Sequence, residues 1–209
     1  MTRMRKETCN MHVGIIGVGA IGQSLTARLA SAGIENITVS NSRGPESLAL
    51  YVEQFDGRVR AGTVREASEA DLVILAVGWQ QVPQALAEVP DWTGRILIDA
   101  TNNYAPPGET PPDLGGRTSS EIVASHAPGA RVVKAFNHLA AALLGEDPRV
   151  AGGNRVLFYS GDDESANESV GALLKRLGYA GIALGGLVEG GKMHAPRNGP
   201  LIIRNLIEM

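Results

Sequence analysis

Apolar runs of four to six residues alternate with helix-patterned stretches along most of the chain. The runs are His12-VGIIG, Ile37-TVS, Asp71-LVILAV, Arg95-ILIDA, Arg131-VVKAF and Arg155-VLFYS, with a weaker Arg58-VRAG between the second and third. Few of them alternate strictly between apolar and polar residues. That pattern suits strands buried on both faces, as in a parallel sheet covered by helices. Helices are predicted over 19–32, 47–55, 63–70, 81–88, 119–125 and 165–177, with short connections. The expectation is an α/β fold, a Rossmann-type, doubly wound, mostly parallel sheet with right-handed crossovers. The βα rhythm runs to about Leu184. After it, Pro200-LIIRNLIE-Met209 reads as a short apolar helix, with Pro200 tolerated in the first turn. We expect one unit over 1–209, flexible over 1–10, whose C-terminal extension, 185–209, covers the site or makes a dimer contact.

Composition narrows the class. With 209 residues and 44% hydrophobic content the chain can bury a sizeable core, which excludes wholesale disorder. Nineteen Lys and Arg stand against 22 Asp and Glu, so no basic field favours nucleic acid. Cys9 is the single cysteine, which excludes an internal disulfide framework and a cysteine-based zinc site. The apolar runs are too short to cross a bilayer. The expectation is a cytoplasmic protein without a membrane or nucleic-acid partner.

The first run leads into Gly17, Gly19 and Gly22, in GxGxxG spacing, followed by an amphipathic stretch. Gly17 permits the tight turn, Gly19 lets a pyrophosphate approach the backbone, and Gly22 allows close helix–strand packing. Free amides at the helix start suit the anion. An acidic residue at the end of the second strand would select NAD by binding the ribose hydroxyls. This chain has Ser40-Asn41-Ser42-Arg43 there instead. Nothing at these positions repels a 2′-phosphate, Ser42 can donate a hydrogen bond, and Arg43 can supply a charged fork. The cofactor expected is NADP(H). About 25 residues follow Leu184, too few for a helical substrate domain. A wide, shallow site over the strand ends suits a flat hydride partner. The Pro/Gly-rich segment 104–117, after the Arg95-ILIDA run, is either a rigid surface loop or a border of that site.

GVGAIG, SNSR, AVGWQQV, RVVKAFN and the terminal GGLVEGGK…PLIIRNL together resemble the oxidoreductases that transfer hydride between NADP and a deazaflavin, coenzyme F-420. The chain is also similar to the cytosolic domains of six-transmembrane ferric reductases, which carry a comparable VVKAFN stretch. The resemblance implies that Val18, Gly19, Ala20 and Ile21 line the pyrophosphate. It implies that Ser42 and Arg43 hold the 2′-phosphate, with Asn41 in the same group. Val77, Gly78 and Trp79 would border the ribose and nicotinamide, with Thr101 and Ala135 beside them. The acceptor would meet Asn102, Asn137, His138 and Leu187. On that side the chain departs from the family pattern, with Asn137-His138 where a His–Thr pair is usual and Gly186-Leu187 where a Pro is usual.

Hydride transfer between flat heterocycles needs approach and water exclusion more than acid–base groups. His138 is the candidate proton donor, or else a packed residue beside Leu139, and Asn137 is either a site residue or a helix cap. His194 can reach the pocket from the tail. Asp99 reads as a buried structural carboxylate or a functional one. Trp79 reads as a wall of the site and Trp92 as loop packing. The acids 162–164 read as a helix start rather than a metal site. The expected function is an NADP(H)-dependent oxidoreductase with a small-molecule redox acceptor such as deazaflavin or flavin, acting as a homodimer. An NADPH-dependent reductase of a small carbonyl or imine compound and a non-catalytic NADP(H)-binding regulator are the alternatives.

Overall fold

The computed structural model describes residues 11–105, 107–196 and 198–209. The expected flexibility of 1–10, and Cys9 with it, lies outside these residues. Strands β1 (His12–Ile16), β2 (Asn36–Ser40), β3 (Val59–Ala61), β4 (Leu72–Leu75), β5 (Ile96–Asp99) and β6 (Arg131–Ala135) pair in parallel, in the order β3-β2-β1-β4-β5-β6. Each falls on an apolar run read from the sequence. The order reverses at β1, so a crevice opens beyond the carboxyl ends of β1 and β4, where open α/β sheets bind ligands.

Alternate residues of these strands enter two separate cores. Ile15, Ile74, Ile98 and Val133 pack against Leu25 and Leu29 of α1 (Ala20–Ser31), Leu144 of α6 (Ala141–Gly145) and Leu173 of α7 (Glu164–Arg176). Ile16, Leu75, Leu97 and Val132 pack against Val64 of α3 (Val64–Ser68), Leu86 of α4 (Val82–Ala87) and Val123 of α5 (Ser119–His126). Burial on both faces explains why the runs lack alternation. The stretch 45–53 forms a 3-10 turn followed by the short helix α2 (Ala49–Glu53). Thr63 and Thr118 cap α3 and α5 in reciprocal capping boxes with Glu66 and Glu121. Asp163 caps α7, as the acids 162–164 suggest, and Trp92 packs in the second core with its indole donating to the Leu86 carbonyl at 3.1 Å.

Beyond β6 the sheet becomes mixed. The strand β8 (Gly153–Gly161) runs antiparallel to β6, and β9 (Ala180–Ala183) runs parallel to β8. A two-residue strand, β7 (Arg149–Val150), also pairs with β8. The tail corrects one expectation. Glu189–Met193 forms a single helical turn, α8, but 200–209 is not a helix. Ile203 sits at φ 54°, a left-handed conformation that a β-branched residue cannot carry through a helix. Its N–H donates to the His138 carbonyl at 2.7 Å, and β10 (Ile207–Glu208) pairs with β8. After turns over 200–203, unpaired backbone at the β8 edge captures the last residues as extended chain, with the Val156 N–H donating to the Leu206 carbonyl at 2.9 Å.

The cross-strand register sets Asp99 of β5 opposite Lys134 of β6, both almost fully buried, with Nζ 3.0 Å from Oδ2. Oδ2 also accepts from Ser120 at 2.6 Å, and Oδ1 accepts from the Thr101 N–H and hydroxyl at 2.9 and 2.6 Å. Burial alone pushes the Asp99 carboxyl up, but Lys134 and these donors outweigh it and hold it below its ordinary value. Removing one partner strands the other charge in the core. Lys134→Met is therefore expected to cost about 3–5 kcal/mol in urea unfolding, and Asp99→Leu combined with Lys134→Met markedly less than that single change. A double variant as unstable as the single one would contradict this account.

Candidate functional site

The turn from β1 into α1 is built on missing side chains. Gly17 has φ 102°, and a Cβ there would stand 2.5 Å from the Ala76 carbonyl oxygen. A Cβ at Gly22 would stand 2.0 Å from the Gly17 oxygen, so the helix could not approach the strand. Gly19 differs. A Cβ there meets nothing within 4 Å, and the residue lines both clefts of the crevice. The space that it leaves is open to a ligand rather than filled by protein. Gly19 caps α1 without a side-chain acceptor, and no acid lies in the first turn. The helix therefore presents unpaired amides at Ala20 and Ile21, which line the larger cleft.

The two clefts meet along Gly19 and Ala76–Gly78. One, of about 400 Å³, runs from Gly17 and Val18 to Asn41, Ser42 and Arg43. Asn41 orders this end: its Oδ1 accepts from the Arg43 N–H at 2.9 Å, and its Nδ2 donates to Ser47 at 2.9 Å. The Arg43 guanidinium makes no ion pair or hydrogen bond with the described residues. Glu88 is the acid on the same lining. The other cleft, of about 530 Å³, lies under Trp79 and reaches Thr101, Asn102 and Tyr104. A crevice with a glycine turn and free amides at its centre, a cationic end and an aromatic end fits a dinucleotide phosphate.

The structure brings Gly17, Val18, Gly19, Ala20, Ile21, Asn41, Ser42, Arg43, Val77, Gly78, Trp79, Thr101 and Asn102 together on this crevice. Gly22 lies behind it as packing. Four residues read from the resemblance do not line either cleft. Ala135 is fully buried in the first core, and Leu187 packs in the second. Asn137 stands behind Asn102, exchanging hydrogen bonds with it: the Asn102 amide donates to the Asn137 carbonyl at 2.9 Å, and Asn137 Nδ2 donates to Asn102 Oδ1 at 3.1 Å. The same Nδ2 donates to the His194 carbonyl at 2.7 Å, tying the tail to the cleft wall.

His138 is 0% exposed, and neither ring nitrogen has a hydrogen-bond partner. Its ring lies 5.0 Å from that of Phe158. Burial pulls its pKa down to about 4, against a weaker opposing contribution from the Val156 main chain. His194, also fully buried, shares a 3.0 Å hydrogen bond between Nε2 and Ser160, and its Nδ1 has no partner. Burial, then Lys134 and His138, pull its pKa down to about 3 against the attraction of Asp99. Both rings are neutral at physiological pH. Sequence reasoning missed Lys134 and Tyr104. The lysine carried a signal, a charge inside an apolar run opposite an equally anomalous Asp99. Among the described residues no group of three or more His, Cys, Asp and Glu could hold a metal. No helix among them is long and apolar enough to cross a membrane.

Fold and crevice define a Rossmann-type dinucleotide-binding protein. Residues 12–103 match the family described as NADP oxidoreductase, coenzyme F420-dependent. A hypothetical protein of Sinorhizobium meliloti, SMa0349, has a solved structure that is 41% identical, covers 99% of this chain and 100% of its own, and superimposes with a TM-score of 0.89. A putative F420-dependent NADP-reductase from Arthrobacter is 28% identical over 88% of this chain and 90% of its own, with a TM-score of 0.74. The metalloreductase STEAP3 of Rattus norvegicus is 29% identical over 88% of this chain but 36% of its own length. The chain thus spans about a third of the metalloreductases that it matches. Residues 12–103 thus resemble the NADP oxidoreductase family, and the chain has the α/β fold of these solved structures.

The buried histidines set a pH dependence. Unfolding releases them to an ordinary value of 6.5, so the unfolded chain binds more protons than the folded one below that pH. Stability is expected to be full above 6.5 and to fall as pH drops toward about 4. Thermal midpoints across this window measure the slope, and His138→Leu is expected to flatten it. An unchanged slope in that variant would mean that His138 takes up its proton without unfolding.

Proposed function

We propose that the protein binds NADP(H) along the joined clefts and passes hydride between the nicotinamide and a flat acceptor such as a deazaflavin or flavin. The observation that carries this reading is the continuity of the crevice. It runs from an unpaired Arg43, past the Gly17–Gly22 turn, to the wall of Trp79, Thr101 and Asn102. In this reading Gly17, Val18, Gly19, Ala20 and Ile21 hold the pyrophosphate through main-chain amides, and Gly22 lets the helix come close enough. Asn41 orders the loop in which Ser42 and Arg43 take the 2′-phosphate. Val77, Gly78, Trp79 and Thr101 border the nicotinamide, which when bound supplies or accepts the hydride. Asn102 faces the acceptor. Ala135, Asn137, His138 and Leu187 act from behind, by packing and by anchoring the tail.

The neutral, tightly bonded floor under Thr101 favours a dry site, and water exclusion is what such a transfer most needs. The putative NADP-reductase from Arthrobacter supports the same acceptor class. The reading carries with it one nucleotide-binding unit, a cytoplasmic setting and a homodimer. Ile203, Leu206 and Met209, all exposed on the tail, support the dimer as apolar surface that a second copy can cover. Light scattering is expected to give twice the chain mass, and a monomer at micromolar concentration would count against it.

Fluorescence titration with NADPH and NADH tests the nucleotide half. NADPH should bind well above NADH. Arg43→Ala should weaken NADPH about 10- to 100-fold and leave NADH nearly unchanged, the effect of one charged hydrogen-bonding partner. Equal loss for both nucleotides would refute the 2′-phosphate role. Mixing the NADPH complex with coenzyme F-420 or FMN and following acceptor bleaching tests the second half.

A further inference from the structure

Hydride transfer alone does not complete the reduction of a conjugated heterocycle, quinone or imine. The electron pair displaced to the far heteroatom must take up a proton. The cleft beneath Trp79 is short of proton donors. The Thr101 hydroxyl is committed to Asp99 at 2.6 Å, and its carbonyl receives Lys134. The Asn102 amide is engaged with Asn137, and Gln81 Oε1 accepts from the Gly78 N–H at 3.2 Å. Gln80 can hydrogen-bond but cannot release a proton. His138 and His194 are sealed away from both clefts.

Tyr104 is what remains. Among the described residues lining this cleft it is the one with an ionisable side chain. Its hydroxyl makes no hydrogen bond with the described residues, and the residue is 49% exposed. It lies five positions beyond β5, held there by its own N–H donating to the Asn102 carbonyl at 2.8 Å. It is thus tied to the wall that faces the acceptor, with its phenol free and in contact with solvent.

We propose that Tyr104 is a catalytic residue that protonates the acceptor, an inference that rests on the oxidoreductase reading above. The acceptor takes a hydride, two electrons with one hydrogen nucleus, from NADPH, which leaves as NADP⁺; it arrives at carbon in a deazaflavin or imine and at a ring nitrogen in a flavin. The displaced π pair moves, through the conjugation where there is one, to the far heteroatom. There a new bond to hydrogen forms as the Tyr104 O–H bond breaks. The phenolate then takes a proton from water, which the exposure of Tyr104 allows. A phenol can act as such a general acid, giving up its proton as the anion develops.

The test uses Tyr104→Phe, which removes the hydroxyl from an exposed ring and should fold normally. Coenzyme F-420, FMN, menadione and 1-pyrroline serve as acceptors with NADPH. The variant is expected to bind NADPH as the wild type does. It should keep the acceptor KM and lose about 100-fold in kcat, together with the solvent isotope effect and the alkaline limb of the pH profile. A second readout needs no turnover. Saturation with NADP⁺ should shift the phenolate absorbance titration of the wild type relative to Tyr104→Phe. An unchanged titration overturns the position of Tyr104 beside the bound cofactor. A wild type that reduces a probe and a variant that matches its kcat overturn the Tyr104 role alone. A wild type that binds NADPH and reduces none of the four probes overturns the oxidoreductase reading, and the role of Tyr104 with it.

Discussion

A Cβ atom at position 22 would lie 2.0 Å from the carbonyl oxygen of Gly17, and one at position 17 would lie 2.5 Å from that of Ala76. These two distances govern the molecule. They allow β1, α1 and the end of β4 to meet at backbone contact. The crevice at the reversal of strand order follows from that meeting, since a bulkier corner would push α1 outward and carry its free amides away from the strand ends. The nearby open position at Gly19 shows the other use of glycine. There the missing side chain makes room for something that the chain does not itself supply.

The crevice is asymmetric in a way that matches its two tasks. At the Arg43 end the polar groups are exposed, on a loop ordered by Asn41. Phosphate recognition, as proposed, would work there by charge and donor geometry, and water can remain. At the Trp79 end the polar groups of the floor, unlike Tyr104 on the rim, are buried and bonded to one another. Lys134, Asp99, Ser120 and Thr101 close their hydrogen bonds among themselves beneath the cleft. An ion pair in this position contributes little net stability over an apolar pair, because desolvation offsets its attraction. Its effect is to pin the main chain at Thr101, and through Asn102 and Asn137 the tail at His194. The acceptor wall and the C-terminal segment are therefore one connected structure.

Much of this was legible in the residues. The GxGxxG spacing, the uncharged Ser40-Asn41-Ser42 before Arg43, and the doubly apolar strands each carry a local signal with one physical cause. The acceptor side was not legible to the same degree, because its arrangement depends on registers that no local pattern encodes. Lys134 stands out as a charge inside an apolar run, but its partner emerges only when β5 and β6 are aligned and Asp99 falls opposite it. His138 follows a strand end, where ligands bind, yet the antiparallel β8 and the returning tail cover it completely. The segment 200–209 has helical spacing of apolar residues. An unpaired strand edge and a left-handed Ile203 override that spacing, and the tail is held as extended chain. Tyr104 sat inside a Pro/Gly-rich loop, where composition announces a turn and says nothing about which side chain borders the cleft.

The sealing of the histidines also bears on the chemistry. A neutral imidazole with no hydrogen-bond partner at either ring nitrogen among the described residues is costly to bury, and the tail lies over this segment through the bond from the Ile203 N–H to the His138 carbonyl. Such a ring resists protonation, so it adds no positive charge behind the cleft in which the proposed reading places a cationic nicotinamide. The Asp99–Lys134 pair likewise sums to zero. The Trp79 end is thereby electrostatically quiet, and the cationic group of the crevice, Arg43, lies at its far end. In the proposed reaction a proton for the acceptor then comes from the solvent side of the cleft rather than from its floor, and the loop after β5 is where the chain presents an ionisable hydroxyl.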